Sequence, residues 1–114
     1  MSEPCIFCRI FSGEIATQEV RRTEHVLVFR DSNPQAPTHL LVIPRRHARD
    51  LGEFVGAASM EEMTALLTVA SEVGRAETSN GYRVVANEGH DAGQSVYHLH
   101  FHVLGGRTLG WPPG

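Results

Sequence analysis

The chain has 114 residues, 41% of them hydrophobic and 20% charged, which predicts one globular domain over 1–114 and leaves little room for a second. A formal charge of −3, with no basic run beyond Arg45-Arg46, argues against bulk electrostatic binding of nucleic acid while leaving room for a small anionic ligand. No stretch approaches the ~18 consecutive apolar residues of a membrane span, and the opening Met-Ser-Glu-Pro-Cys lacks the layout of a secretory signal, so the expected location is the cytoplasm, with no membrane partner.

In chain order, the first chemistry is Cys5-x-x-Cys8, the only cysteines, which in a reducing compartment point to a metal or redox site rather than a structural disulfide. Over the same residues Ile6, Phe7, Ile10 and Phe11 have helical spacing, and Ser12-Gly13 stops the one or two turns they predict. Glu19 to Arg22 is a weak strand pattern. Val26 to Phe29 is a clear short strand, closed by the turn residues Arg30-Asp31-Ser32-Asn33-Pro34. Leu40 to Ile43 is a continuous apolar run, typical of a strand buried on both sides, and Pro44 ends it.

His47 to Gly56 is expected to form a short helix with Leu51, Phe54 and Val55 on one side. Ser59 and Glu62 form an S-x-x-E capping box, after which Met63, Leu66, Leu67, Ala70 and Val73 make the apolar stripe of a longer helix. Asn80-Gly81 turns the chain into a strand at Tyr82 to Ala86. A loop follows from Asn87 to Ser95, where Gly89 and Gly93 can take positive φ or let the backbone approach a ligand. Strands joined partly by tight turns and partly around one long helix predict an α+β fold, mostly antiparallel, with the helices on one face of the sheet.

Residues 97–104 read Tyr-His-Leu-His-Phe-His-Val-Leu, so a single strand should direct Tyr97, Leu99, Phe101 and Val103 to a core and His98, His100 and His102 to the other side. A row of imidazoles is suited to nucleophilic, acid–base or metal chemistry near neutral pH. At ~3.3 Å per residue His98 and His102 lie about 13 Å apart, so one ordinary metal ion cannot take both. His100, flanked on both sides, is the candidate nucleophile, since a neutral imidazole attacks phosphorus well. Gly93-Gln94-Ser95 offers backbone N–H groups and a hydroxyl as an anion cradle, with amides from Asn87 and Gln94. Alone, that tripeptide is more often an ordinary turn, and its weight comes from lying three to five residues before His98.

The triad strand, together with DSNPQAPTHLLVIPRRH (31–47), VVANEGHDAGQSVYHLHFHVLGGR (84–107) and the terminal WPPG (111–114), resembles the histidine triad (HIT) superfamily over nearly the whole chain, and specifically its Hint branch. The resemblance implies a HIT-like fold: a mainly antiparallel five-stranded sheet, one long and one or two short helices, and a sheet extended across a homodimer. It also implies a purine nucleoside phosphoramidate hydrolase acting on adenosine monophosphate joined to an amine. In that scheme His100 attacks the phosphorus to give an adenylylated histidine, His102 contacts the phosphate, Ser95 assists the leaving amine, and His39 sits behind the triad. Asn87, Gly93 and Gln94 fall in the phosphate-binding segment.

Asp31 would accept the ribose hydroxyls, although by itself it reads as a turn-initiating Asp. Ile6, Phe7, Ile10, Phe29 and Ser32 map to the base pocket, while core packing is the commoner fate of such aromatics. Ser32 stands where a larger apolar residue is usual. Trp111, on a Gly/Pro tail, would cross to the partner subunit.

Cys5 and Cys8 with His47 and a strand histidine make the usual donor set of a closed tetrahedral zinc site. In zinc-carrying bacterial members the matching residues are Cys5, Cys8, His47 and His98, which implies structural zinc and no organic cofactor. A redox C-x-x-C pair is the alternative, against which stands the lack of a preceding strand. Competing activities are a dinucleotide polyphosphate hydrolase or nucleotidyl transferase, and a nucleotide-binding scaffold with vestigial hydrolysis. His25 and His90 carry no assigned role.

Overall fold

A computed structural model describes residues 5–114, so Met1 to Pro4, on which the reading of the N-terminus rests, lie outside the described residues. In chain order the elements are α1 (Ile6–Phe11), β1 (Glu19–Arg22), β2 (Val26–Arg30), β3 (Thr38–Pro44), α2 (Leu51–Ala57), α3 (Met60–Glu77), β4 (Tyr82–Ala86) and β5 (Phe101–Gly105). The strands form one sheet in the order β1-β2-β3-β5-β4, with every neighbouring pair antiparallel. This is the α+β architecture with five strands and one long helix that the sequence predicts.

Both faces of the sheet are covered, however, and not one as expected. Val26, Val28, Leu40, Val42, Phe101 and Val103 pack with Phe54 of α2 and with Leu66, Val69, Ala70 and Val73 of α3. The alternate residues Leu27, Phe29, Leu41 and Ile43 meet Phe7, Ile10 and Phe11 of α1 on the opposite side. The reason lies in β2 and β3 themselves: the unbroken apolar runs Val26 to Phe29 and Leu40 to Ile43 need a partner on each side, and full burial of each such side chain is worth about 1.5–3 kcal/mol.

The helix ends follow their side-chain caps. Ser59 Oγ accepts from Glu62 N–H at 3.1 Å while Glu62 Oε1 accepts from Ser59 N–H at 2.9 Å, a complete capping box. Asp50 caps α2 by accepting from Glu53 N–H at 2.9 Å, so that helix begins after His47 and leaves the imidazole free for other work. Leu67 and Val55, assigned inward by spacing, instead face outward, 62% and 56% exposed. No described helix is long and apolar enough to cross a membrane.

The triad segment is only partly a strand. β5 starts at Phe101, opposite Val42 of β3 and Ala86 of β4, and Tyr97 is 49% exposed rather than buried. Pro44 has no N–H with which to extend the β3 ladder. Above Phe101 the chain is held by Leu99 N–H donating to Ala48 O at 2.8 Å, which preserves the alternation of Leu99 inward and the histidines to the α1 side.

Gly74 of α3 lies against β4, where an added Cβ would come 2.5 Å from the Tyr82 ring. Alanine gains about 1 kcal/mol of helix propensity, but overpacking typically costs about 1–3 kcal/mol. Gly74→Ala is therefore expected to lower the urea midpoint, and a raised midpoint would show that the Tyr82 ring moves aside freely.

Candidate functional site

Cys5 is the N-cap of α1, its sulfur accepting from Cys8 N–H at 3.4 Å, so one helical turn brings both thiols to the same end of the helix. There they meet the two histidines. Cys5 Sγ is 3.3 Å from His98 Nδ1, Cys8 Sγ is 3.5 Å from His47 Nδ1 and 3.6 Å from His98 Nδ1, and the two Nδ1 atoms are 3.2 Å apart. Tetrahedral bonds of about 2.3 Å to sulfur and 2.0–2.1 Å to nitrogen imply edges of roughly 3.3 Å between nitrogens and 3.5 Å between nitrogen and sulfur. The donor set and its spacing fit zinc.

His98 is fully buried, and its Nε2–H donates to Pro44 O at 2.9 Å, which leaves the Nδ1 lone pair aimed at the cluster. Burial, opposed by the Pro44 carbonyl and aided by the neighbouring His47 and His100, pushes its pKa down to about 4, so the ring is neutral. Burial and the adjacent Cys5 push the Cys8 thiol up to about 11.

The other two triad histidines are held in opposite tautomers. His100 Nδ1 lies 2.8 Å from His98 O, and because a carbonyl only accepts, Nδ1 carries a proton, which in the neutral tautomer leaves the lone pair on Nε2. For His102 the assignment runs through His39. Gln35 N–H donates to His39 Nδ1 at 3.0 Å, His39 Nε2–H is then the donor to His102 Nδ1 at 2.9 Å, and His102 Nε2 is left as an N–H. His102 is neutral, its pKa pushed down to about 4 chiefly by burial, with His100 and His39 adding and the Asp31 carboxylate opposing. His39 is lowered for the same leading reason, again against Asp31, whose Oδ2 is 3.4 Å from His39 Nε2. The His100 ring is wedged between Phe7 and His102, each with its centroid 5.0 Å away.

Asp31 also does what a turn Asp does, accepting from Asn33 N–H at 2.8 Å through Oδ1. Phe7, Ile10 and Phe29 belong to the packed face beneath α1, each only 4–6% exposed, whereas Ile6 and Ser32 are exposed. Gly93 has φ of 85°, but its N–H donates to His90 O at 3.0 Å rather than pointing outward free. Gln94 is buried, and its side-chain polar atoms are bonded to Gly89 N–H, Arg49 O and Val96 O, contrary to its assignment as a phosphate ligand. Asn87 is half-buried and Ser95 exposed on the same loop. Trp111 is 81% exposed and touches its own chain through the Arg83 guanidinium, 6.0 Å from the ring centroid. His25 Nε2 sits 3.2 Å from a Glu61 carboxylate oxygen at the surface, and His90 lies exposed beside Asp91.

What sequence reasoning missed are main-chain partners: the carbonyls of Pro44, Ala48 and His98 and the N–H of Gln35. No residue type marks such groups. Only Pro44, fixed at the end of an apolar run, gives a hint of position.

A family model for the HIT domain matches residues 12–109. Among curated relatives, the chain is 48% identical over 117 residues to a 14 kDa zinc-binding protein of Zea mays, covering 97% of this chain and 88% of that one. It is 47% identical over 107 residues to an uncharacterized 13.2 kDa HIT-like protein of Azospirillum brasilense, covering 92% and 88%. Among solved structures, a HIT family hydrolase from Legionella pneumophila superposes with a TM-score of 0.91 at 43% identity, covering 97% of this chain and all of that one. A histidine triad protein from Clostridium difficile gives a TM-score of 0.83 at 37% identity, covering 96% and 97%.

The depressed pKa of His102 makes stability depend on pH with a definite sign. Between the ordinary 6.5 and about 4 the unfolded chain binds a proton that the folded chain does not, so stability falls as pH is lowered through that window. The urea midpoint should drop across this range, and less steeply in His102→Gln. An unchanged slope in the variant would mean that the ring is not held neutral.

Proposed function

The chain belongs to the HIT domain family, and from that premise we propose that it is a Hint-type purine nucleoside phosphoramidate hydrolase, cleaving the P–N bond of adenosine monophosphate joined to an amine. The observation that carries this reading is the pair of opposite tautomers, a lone pair on His100 Nε2 beside an N–H on His102 Nε2. A nucleophile and an oxyanion donor are what phosphoryl transfer to an imidazole requires.

In the first step the His100 Nε2 lone pair forms a bond to phosphorus while the P–N bond breaks, its electrons leaving with the amine nitrogen. That nitrogen takes a proton from solvent relayed through the Ser95 hydroxyl, which stays protonated, and His102 Nε2–H donates to a phosphate oxygen. In the second step water attacks phosphorus, the bond to Nε2 breaks with its electrons returning to His100, and the water's proton leaves to solvent by the same hydroxyl.

The His100 ring becomes cationic when phosphorus is attached to Nε2. Its bond to His98 O then strengthens, from roughly 0.5–1.5 kcal/mol for a neutral hydrogen bond to roughly 1.5–3 kcal/mol for a charged one. Such an interaction favours the transition state over the ground state.

Asp31, shared between Asn33 N–H and the His39 ring, has lone pairs left for ribose hydroxyls. Because Phe7, Ile10 and Phe29 are packed beneath α1, a purine would meet mainly Ile6 and the Ser32 turn.

Zinc would be held by Cys5, Cys8, His47 and His98, and four protein ligands leave no place for a reactive water, so its part is structural. The similarity to the zinc-binding protein of Zea mays and the tetrahedral spacing of the cluster support this assignment. A second copy of the chain is the proposed partner along β4. That strand is the last in the sheet order, with Val84 44% exposed, and an unpaired edge with apolar side chains favours further strand pairing.

Wild-type protein mixed with an adenosine phosphoramidate should form a histidine adduct detectable by mass in a single turnover, and His100→Ala should form none and lose turnover. An active His100→Ala protein would sink the mechanism. Elemental analysis of protein purified without chelator should find one zinc per chain and none in Cys8→Ser. A wild-type sample without zinc, which also fails to gain thermal stability when zinc is added, would remove the metal assignment.

A further inference from the structure

Gln94 is the one buried polar side chain of the 87–95 loop, 7% exposed. Its Oε1 accepts from Gly89 N–H at 3.0 Å, and its Nε2 donates to Arg49 O at 2.7 Å and Val96 O at 3.1 Å. Its own N–H donates to Gly89 O at 3.1 Å. A primary amide has one oxygen and two N–H donors, so this side chain has no donor left for a ligand.

The partners show what the residue joins. Gly89 and Val96 lie on either side of it in sequence, so the amide pins the loop to itself. Arg49 belongs to another segment, 47–49, in which each residue touches the site. His47 is in the cysteine cluster, Ala48 O receives Leu99 N–H between His98 and His100, and Arg49 O receives Gln94. Ser95, the residue after Gln94, is thus tied to the same three-residue frame that fixes the backbone of His100.

We propose that Gln94 is a positioning residue that holds the Ser95 hydroxyl in register with His100, so that the leaving nitrogen is protonated as the nucleophile attacks. This rests on the roles given above to His100 and Ser95. The role calls for both ends of the amide. Glutamate at this position keeps an acceptor for Gly89 N–H but loses both donors and sets a carboxylate against two carbonyl oxygens. Methionine matches the volume and loses all three bonds. A misplacement of about 1 Å can cost on the order of 10²-fold in rate.

The test compares two substrates whose leaving groups differ in their need for a proton. One is adenosine monophosphate joined to an alkyl amine, and the other is its 4-nitrophenyl ester, whose phenolate departs unprotonated. Gln94→Met and Gln94→Glu should lower kcat on the phosphoramidate by on the order of 10²-fold with KM little changed, and lower it far less on the ester. Hydrogen exchange at the Gly89 amide should quicken in Gln94→Met. If Gln94→Met does not fold, Gln94→Glu, which retains the Gly89 bond, carries the same comparison.

Equal losses on both substrates, or no loss on either in a folded variant, overturn the proposal while leaving the hydrolase reading intact. Wild-type protein that cleaves neither substrate removes that reading, and the positioning role falls with it.

Discussion

His98 makes three commitments, and the site depends on all of them. Its Nδ1 lies in the cluster with Cys5, Cys8 and His47, its Nε2–H is on Pro44 O, and its carbonyl accepts the Nδ1–H of His100. The first two fix the ring and the third fixes the tautomer of the neighbouring histidine. A displacement of His98 therefore reaches the lone pair of His100 through a single covalent residue. Burial keeps the ring neutral, and only a neutral imidazole can present a lone pair to the cluster while donating to Pro44.

The two-faced sheet is what makes that placement possible. α2 and α3 cover one side and bury Leu99, Phe101 and Val103, which forces the intervening histidines to the other. On that other side α1 supplies Phe7 against the rings of His98 and His100, with Cys5 and Cys8 at the end of the same helix. A six-residue helix is too short to hold by its own hydrogen bonds. It is held by the buried rings of Phe7 and Phe11 and the side chain of Ile10, and a metal ion on Cys5 and Cys8 would add a second attachment to β3 and the triad segment.

Much of this was legible in the residues, because the signals were strong and local. The capping box at Ser59 and Glu62, the apolar run at Leu40 to Ile43, the Asn80-Gly81 turn and the His-x-His-x-His alternation each translate directly into an observed element or face. The failures have a common cause. Leu67 and Val55 satisfy helical spacing yet face outward, and Tyr97 satisfies strand alternation yet stands beyond the sheet, since periodicity does not say where packing partners end. Gln94 looked like a ligand amide because its residue type fits a phosphate, but the donors were consumed by carbonyls from Arg49 and Val96 that no pattern of side chains reveals. The tautomers of His100 and His102 were invisible for the same reason, being set by main-chain groups of His98 and Gln35.

The crowding of the imidazoles also decides how they can work. His100 and His102 have centroids 5.0 Å apart, and His39 and His102 are 5.1 Å apart, so two cations in the row would repel at short range in a poorly solvated site. His39 and His102, both lowered chiefly by burial, avoid that repulsion as neutral rings, and the hydrogen bonds from Gln35 through His39 to His102 give each of these two rings one donor and one acceptor without any net charge. If His100 bonds to phosphorus as proposed above, the row would gain one positive charge, and the Asp31 carboxylate stands at its far end, 3.4 Å from His39. That charge would then lie between the His98 carbonyl on one side and a carboxylate reached through two neutral rings on the other. A line of neutral donors and acceptors of this kind can accommodate one transient charge at its end while disfavouring a permanent one within.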